Sequence, residues 1–252
     1  MISDLMKLSG KVAIVTGGSR GIGKATAKMF VQEGAHVTIT AKDPSRLEKA
    51  ANDIGNVYAI LGDIRIENDV KNVVKKTVDK FGKIDILINN AGVFPQVKPL
   101  HQISDKEWNE VIDVNLTGQF RFTRAVIPFM EKNGGVIINV SSNAGLKAFE
   151  NFEADAYTAS KGALVLLTKA WAVEYAKYKI RVNCVCPGIV ETDMTKPYLD
   201  SELARKMAAA EHPIGRIGTV DDVAKAILYF ASDDSAWTTG AVLALDGGAS
   251  AK

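Results

Sequence analysis

The chain has 252 residues, a formal net charge of +2 and 24% charged residues, which is close to the average for globular proteins. At roughly 150 residues per domain, this length fits one large domain or two small ones. Basic residues form no run or tail, which argues against nucleic acid as a partner. No stretch reaches the roughly 18 to 20 apolar residues of a membrane span. Asp4 and Lys7 interrupt any N-terminal signal, so we expect a cytoplasmic protein with no membrane partner.

Short β-branched runs alternate with amphipathic stretches along the whole chain. The predicted strands are Val12–Thr16, His36–Thr40, Val57–Leu61, Ile84–Asn89, Val136–Ser141, Arg181–Cys186 and Ala241–Leu245. Helices are predicted near residues 21–33, 44–53, 67–81, 104–131, 155–178 and 219–232. Continuously apolar strands are covered on both faces, so this order predicts an α/β Rossmann fold with a doubly wound parallel sheet of about seven strands flanked by helices. No linker divides the chain, which predicts a single domain over residues 1–252.

A glycine-rich turn follows the first strand and opens the first predicted helix. It reads Thr16-Gly17-Gly18-Ser19-Arg20-Gly21-Ile22-Gly23. Backbone N–H groups of such a turn, together with the helix dipole, can bind a diphosphate. The glycine spacing differs from the G-x-G-x-x-G pattern, and a purely structural turn is the alternative.

The end of the second strand bears on the choice of dinucleotide. NAD-specific proteins place an acidic residue here to hold the ribose 2′-hydroxyl, whereas this chain has Ala41 followed by Lys42. Arg20 and Lys42 would neutralise a 2′-phosphate. The sequence therefore favours NADP(H). NAD(H) is the alternative, because Asp43 is adjacent and both cations can also be ordinary solvated side chains.

A tyrosine and a lysine lie four residues apart at the start of the helix predicted after the fifth strand. Such a spacing puts the polar ends of Tyr157 and Lys161 on one helix face. An ammonium about 4 Å from a phenol, at an effective dielectric near 20, favours the phenolate by about 4 kcal/mol, or roughly 3 pKa units. We therefore expect Lys161 to lower the pKa of Tyr157 into the range for proton transfer. A surface pair is the alternative.

Both cysteines of the chain stand in the sixth predicted strand, at Cys184 and Cys186. The strand period points their thiols to the same face. One such pair cannot build a disulfide framework, and the three histidines are scattered rather than set at metal-ligand spacing. We expect buried structural thiols and no metal site.

Taken together, the motifs resemble those of the short-chain dehydrogenase/reductase family over essentially the whole chain. They follow one another in the family's order: Thr16-Gly17-x-x-x-Gly21-x-Gly23, Asp63, Asn89-Asn90-Ala91-Gly92, Asn115, Ser142, Tyr157-x-x-x-Lys161 and Pro187-Gly188-Ile189-Val190-Glu191-Thr192.

The resemblance implies four catalytic residues. Tyr157 would be the general acid in carbonyl reduction and the general base in alcohol oxidation, while Lys161 would lower its pKa and hold the nicotinamide ribose. Ser142 would hydrogen-bond the substrate oxygen, and Asn115 would hold a water that links Lys161 to solvent. With the glycine turn and Lys42, the implied cofactor contacts are Gly17, Ser19, Arg20, Gly21, Ile22, Gly23, Lys42, Asp63, Ile64, Asn90, Ala91, Gly92, Tyr157, Lys161, Pro187, Gly188, Val190 and Thr192.

The expected activity is hydride transfer between NADP(H) and a small, largely neutral ketone or secondary alcohol. One alternative is a 3-oxoacyl-(acyl-carrier-protein or coenzyme A) reductase, which the segment 191–195 resembles. Such reductases commonly dock the acidic carrier with two arginines, and these positions hold Asn133 and Tyr178 here. The other alternative is a non-catalytic NADP-binding sensor or scaffold.

Substrate specificity is expected to come from two loops, about 143–156 and 190–218. The first is about two residues longer than in compact family members. Its acids Glu150, Glu153 and Asp155 count mildly against an anionic substrate, and the alternative is that they only face water. Family members are commonly tetramers, so we expect a homo-oligomer, either a tetramer or a dimer. Candidates for an apolar pocket wall are Phe94, Phe149, Phe152, Met194, Tyr198 and Leu199.

Overall fold

The fold is seen in a computed structural model that describes residues 6–150 and 152–252. Asp4, one of the two charged residues that argue against a secretory signal, lies outside the described residues. The strands are β1 (Val12–Thr16), β2 (His36–Ala41), β3 (Val57–Leu61), β4 (Ile86–Asn89), β5 (Gly135–Val140), β6 (Ile180–Pro187) and β7 (Val242–Leu245). The α-helices are α1 (Gly21–Gln32), α2 (Pro44–Ile54), α3 (Glu67–Phe81), α4 (Asp105–Ile112), α5 (Gly118–Met130), α6 (Asp155–Tyr175), α7 (Glu202–Ala210) and α8 (Val220–Ala231).

The strands form one parallel sheet in the order β3-β2-β1-β4-β5-β6-β7. This confirms the predicted Rossmann-type α/β fold. Connections run outward in opposite directions from the central pair β1 and β4, so the chain segments after these two strands diverge to opposite faces of the sheet. A crevice forms at such a point, outside the carboxyl ends of the strands.

Alternate residues of each central strand enter two separate cores. On β1, Val15 packs with Phe30 of α1 and Ile227 of α8. Its neighbour Ile14 belongs to the opposite core, with Phe122 of α5. This double coverage explains why the central strands are largely apolar rather than apolar at every second position only. None of the helices in the described part of the chain has the length and apolarity that a bilayer crossing requires.

The helix predicted over residues 104–131 is divided. The helices α4 and α5 are joined by a π-helical turn over Asp113–Thr117, and sequence periodicity does not reveal such a turn. A second difference is α7, which lies inside the segment 190–218 that was expected to be a loop. Cys184 and Cys186 are buried on β6 with their Sγ atoms 3.7 Å apart, which confirms that both thiols point to one face.

Candidate active site

A cleft of about 320 Å³ opens at the carboxyl edge of the sheet. Its volume lies in the range of small-molecule sites, roughly 300–1,000 Å³. The turns after six of the strands contribute to its lining. The predicted site residues that line it are Gly17, Ser19, Arg20, Gly21, Ile22, Lys42, Asp63, Ile64, Asn90, Ala91, Gly92, Ser142, Tyr157, Lys161, Pro187, Gly188, Val190 and Thr192.

The glycine turn is held against the segment that follows β4. Thr16 Oγ1 accepts hydrogen bonds from the backbone N–H groups of Asn90 and Ala91. Gly17 has a φ of +64°, and a Cβ there would lie 2.9 Å from the Ala91 Cα. Glycine is therefore required both by the left-handed backbone and by the close approach.

Gly23 was predicted as a cofactor contact, but the structure places it outside the cleft lining. A Cβ at Gly23 would lie 2.4 Å from both the Asn90 Nδ2 and the Gly17 carbonyl oxygen. Its role in the described structure is therefore to let α1 pack closely on the turn. The spacing of the motif alone does not separate these two roles.

Three cations border the cleft where the turns after β1 and β2 meet. Arg20 and Lys42 were predicted from the sequence, whereas Arg46 on α2 was missed. The Arg46 Nε lies 3.3 Å from the carboxylate of Asp43. The Arg20 guanidinium leans toward the other wall, with Nη1 3.7 Å from the Asp193 Oδ2. The sequence signal for Arg46 was its place two residues after the Pro44 that opens α2.

The segment after β3 combines a fixed carboxylate with an apolar side chain. The Arg65 guanidinium donates to Asp63, with Nη2 2.6 Å from Oδ2, and these hydrogen bonds hold the pKa of Asp63 below its ordinary value. Ile64 packs on Gly118, where a Cβ would lie 2.5 Å from Ile64 Cγ1. An acceptor next to an apolar surface suits a heteroaromatic base, and the cofactor contact of Asp63 and Ile64 stays a prediction.

Asn115 lies in the π-helical turn and is fully buried. Its Oδ1 accepts from the Val93 N–H at 2.8 Å, and its Nδ2 donates to the Val93 carbonyl oxygen at 2.9 Å. Nδ2 also donates to the Ser160 Oγ at 3.3 Å. The side chain thus ties the segment after β4 to α6. The role predicted for it, holding a water near Lys161, is not tested by these contacts.

Ser142, Tyr157 and Lys161 converge in the cleft. Ser142 stands at the end of β5, and its neighbour Ser141 donates to the Lys161 carbonyl oxygen at 2.7 Å. This bond fixes α6 against the end of β5. The Lys161 Nζ donates to the Val140 carbonyl oxygen at 2.9 Å and lies 5.6 Å from the centroid of the Tyr157 ring.

The protonation of the tyrosine and lysine differs from the prediction. Burial raises the pKa of Tyr157 above its ordinary value, and a hydrogen bond with the Ser142 hydroxyl opposes this in part. Burial also lowers the pKa of Lys161 to about 8. The prediction of a lowered Tyr157 pKa is therefore contradicted for the net shift, whose largest cause is burial. It assumed a partly hydrated pair, whereas desolvation disfavours both charged forms.

Four of the candidate pocket-wall residues are aromatic rings near Tyr157, and they lie outside the cleft lining itself. The Phe94 ring centroid is 5.0 Å from that of Tyr157, and Phe152 is 6.4 Å from it. Tyr198 contacts Phe94, and Phe149 contacts Phe152. Met194 lines the cleft. Leu199 does not, since only 3% of it is exposed and it packs inward.

The fold and the cleft define a class of protein. A doubly wound parallel sheet joins a glycine turn, at its switch point, to a Ser-Tyr-Lys group, which is the arrangement of a Rossmann-type oxidoreductase. The chain belongs to the short-chain dehydrogenase/reductase family and is an oxidoreductase that acts on CH–OH groups.

Comparison with known proteins supports this assignment. A family model described as enoyl-(acyl carrier protein) reductase matches residues 17–250. The chain is 42% identical to a 3-oxoacyl-(acyl-carrier-protein) reductase of Thermotoga maritima, over 96% of this chain and 99% of the relative. It is 40% identical to a 2-(R)-hydroxypropyl-CoM dehydrogenase of Xanthobacter autotrophicus, over 94% and 97%. The crystal structure of a short-chain type dehydrogenase/reductase from Mycobacterium marinum matches all of both chains, with a TM-score of 0.93 and 33% identity.

Proposed function

We propose that the protein is an NADP(H)-dependent oxidoreductase that interconverts a small ketone and the corresponding secondary alcohol. One observation carries the proposal: Ser142, Tyr157 and Lys161 share a cleft with the glycine turn and the cations at its far end. The similarity to a relative named as a hydroxypropyl-CoM dehydrogenase supports a small secondary alcohol as the substrate.

The residues present fit a dinucleotide. The glycine turn presents backbone N–H groups at the start of α1, where the helix dipole favours a diphosphate. Gly92 keeps the middle of the cleft open, because a Cβ there would lie 3.4 Å from the Asn115 Oδ1 and 3.7 Å from the Lys161 Nζ. Lys161 would then hold the nicotinamide ribose, and Val190 with Thr192 would contact the nicotinamide end.

The side chains of the cleft manage the substrate oxygen and its proton. A bound nicotinamide supplies or accepts the hydride. Ser142 donates a hydrogen bond to the carbonyl oxygen, where negative charge develops during reduction. Tyr157 gives that oxygen its proton. Because burial raises the pKa of Tyr157, the phenol is protonated at neutral pH, which suits carbonyl reduction. Alcohol oxidation needs the phenolate and is expected to accelerate as the pH rises.

The preference for NADP(H) is supported by charge at the adenosine end of the cleft. Lys42 and Arg46 line the cleft together with Ala41, and an NAD-specific protein has an acid at the position of Ala41. Arg46 strengthens the argument for NADP(H) that Arg20 and Lys42 provide, because its guanidinium can form a bidentate pair with a phosphate. Asp43 partly neutralises Arg46 in the structure. We expect kcat/KM with NADPH to exceed that with NADH, and equal use of both would contradict the proposal.

The assay is consumption of NADPH with a panel of neutral ketones. Tyr157→Phe is expected to lower kcat by at least about 100-fold, the usual contribution of a positioned general acid. Tyr178→Phe removes a hydroxyl just beyond the same helix, and it serves as the matched control with unchanged turnover. Full turnover by Tyr157→Phe would refute the acid/base assignment.

A 3-oxoacyl thioester reductase is the second candidate, and the 42% identity to a relative of that name favours it. The test is reduction of acetoacetyl thioesters by the same preparation. A kcat/KM well above that of every simple ketone would replace the first proposal by this one. Absence of thioester turnover would refute this second candidate function.

The proposal includes a homo-oligomer in the cytoplasm. Leu166 and Val173 lie two turns apart on α6 and are 67% and 81% exposed, which is a large exposure for apolar side chains. A second copy of the chain would cover them. Sedimentation equilibrium tests the assembly, and a monomer at micromolar concentration would contradict it.

A further inference from the structure

Four aromatic side chains gather beside Tyr157 and have no part in the proton chemistry. They come from separate segments at the carboxyl edge of the sheet. Phe94 follows β4, Phe149 and Phe152 follow β5, and Tyr198 follows β6. Three independent segments therefore bring rings to one place, beside Tyr157, which itself lines the cleft.

Phe94 is the centre of this aromatic cluster. Its ring centroid lies 5.0 Å from Tyr157, 5.7 Å from Phe152 and 5.8 Å from Tyr198. The interplanar angles of 70° to Tyr157 and 82° to Tyr198 are edge-to-face. Phe149 is at the rim, 6.1 Å from Phe152. The rings are not core residues, since the phenylalanines are partly exposed and Tyr198 is 52% exposed.

A substrate bound at Tyr157 can reach these rings. Its oxygen has to reach the hydroxyls of Ser142 and Tyr157, and the Phe94 ring centroid is 5.0 Å from that of Tyr157, so a substituent of the reacting carbon that extends past the cleft lining on this side contacts Phe94. An aromatic substituent can add an offset or edge-to-face contact to a cluster of this geometry, and a saturated ring of the same size cannot.

We propose that the aromatic cluster selects ketones and secondary alcohols with an aromatic ring within one methylene of the reacting carbon, and that Phe94 is the main specificity-determining residue. This inference rests on the proposed ketone reduction and names its substrate class. Charge at the rim favours a neutral aryl group over a cation, because the Lys147 Nζ already lies 4.9 Å from the Phe149 ring centroid. Exposed Glu150 and Glu153 on the same segment disfavour an anionic one.

The test compares phenylacetone with cyclohexylacetone, using NADPH and the intact protein. The methylene insulates both carbonyls from the ring, so their intrinsic reactivity is matched and the aromaticity of the ring is what differs. We expect kcat/KM for phenylacetone to be about three to ten times higher, as aromatic pair energies imply. A wild-type ratio near one, or below it, would overturn the inference.

Two phenylalanine variants locate the effect. Phe94→Leu is expected to bring the ratio near one while cyclohexylacetone is still reduced, and Phe149→Leu, at the rim of the same cluster, is expected to lower the ratio much less. Both ketones are measured on the same preparation, so any loss of folded protein cancels. An unchanged ratio in Phe94→Leu overturns the role of that residue.

Failure of the inference and failure of the proposed function give different results. If other ketones of the panel are reduced but phenylacetone is not, the aromatic preference is overturned and the ketone reductase remains. If no ketone is reduced with either nicotinamide, the proposed reaction itself is refuted.

Discussion

Replacing Lys161 by methionine is expected to abolish activity and to stabilise the fold at neutral pH. Lys161 is 4% exposed, and burial lowers its pKa from 10.5 to about 8. At about 1.36 kcal/mol per pKa unit, keeping this ammonium buried costs about 3 kcal/mol. The pH dependence follows from the sign: the unfolded chain binds the proton more tightly than the native state does. The cost is therefore complete below pH 8, fades as the pH rises, and is gone above 10.5.

The stability that Lys161→Met is expected to gain is smaller than the cost of burying the ammonium. Methionine fills a similar volume, but the Val140 carbonyl oxygen, which accepts from Nζ at 2.9 Å, loses its donor. A lost hydrogen bond of this kind costs about 1 kcal/mol. The net gain in the free energy of unfolding is thus about 2 kcal/mol at pH 7. By pH 9.5 about 2 kcal/mol of the burial cost has disappeared from the wild type as well, and the two proteins should be nearly equal.

Urea unfolding at pH 7 and pH 9.5 measures both quantities. The protein concentration is held fixed, because any oligomerisation would change the apparent stability. Lys169→Met serves as the control, since Lys169 is an exposed lysine on the same helix. Its effect should stay within about 0.5 kcal/mol at both pH values. A variant at position 161 that is less stable than the wild type at pH 7, or a gap that is the same at both pH values, would refute the reasoning.

Two further substitutions test the cleft. Lys42→Asp is expected to lower the ratio of kcat/KM for NADPH to that for NADH by about tenfold or more, the strength of a charged hydrogen bond, whereas Lys49→Asp on the outer side of α2 should leave the ratio unchanged. Gly145→Ala puts a Cβ 2.7 Å from the carbonyl carbon and oxygen of Lys161. This substitution should therefore lower the free energy of unfolding by about 1–3 kcal/mol and reduce kcat. In the control Gly162→Ala, the new Cβ would lie 3.8 Å from its nearest neighbour outside the helix backbone, the Gly145 carbonyl oxygen, and no loss of stability or of kcat is expected.

Most of the fold could be predicted because the strands are largely apolar and separated by helix-length segments. The positions of Tyr157 and Lys161 on one face also followed from local spacing. Their protonation did not, because it depends on desolvation by segments far away in sequence, such as the end of β5. The packing of Gly23 on Asn90 could not be predicted either, since a glycine that contacts a ligand and one that contacts Asn90 look the same in a motif.

The helix α7 escaped prediction for a physical reason that bears on specificity. Among its residues Ala208 is buried, while Leu203 and Met207 are 69% and 64% exposed, so its apolar side chains do not mark a core-facing stripe. Its sequence signal was the N-cap, where the Ser201 Oγ accepts from the Ala204 N–H. A helix that contributes little to the core can change in sequence without unfolding the sheet. Relatives of 42% and 40% identity, named for different substrates, can therefore share one framework and differ in segments of this kind.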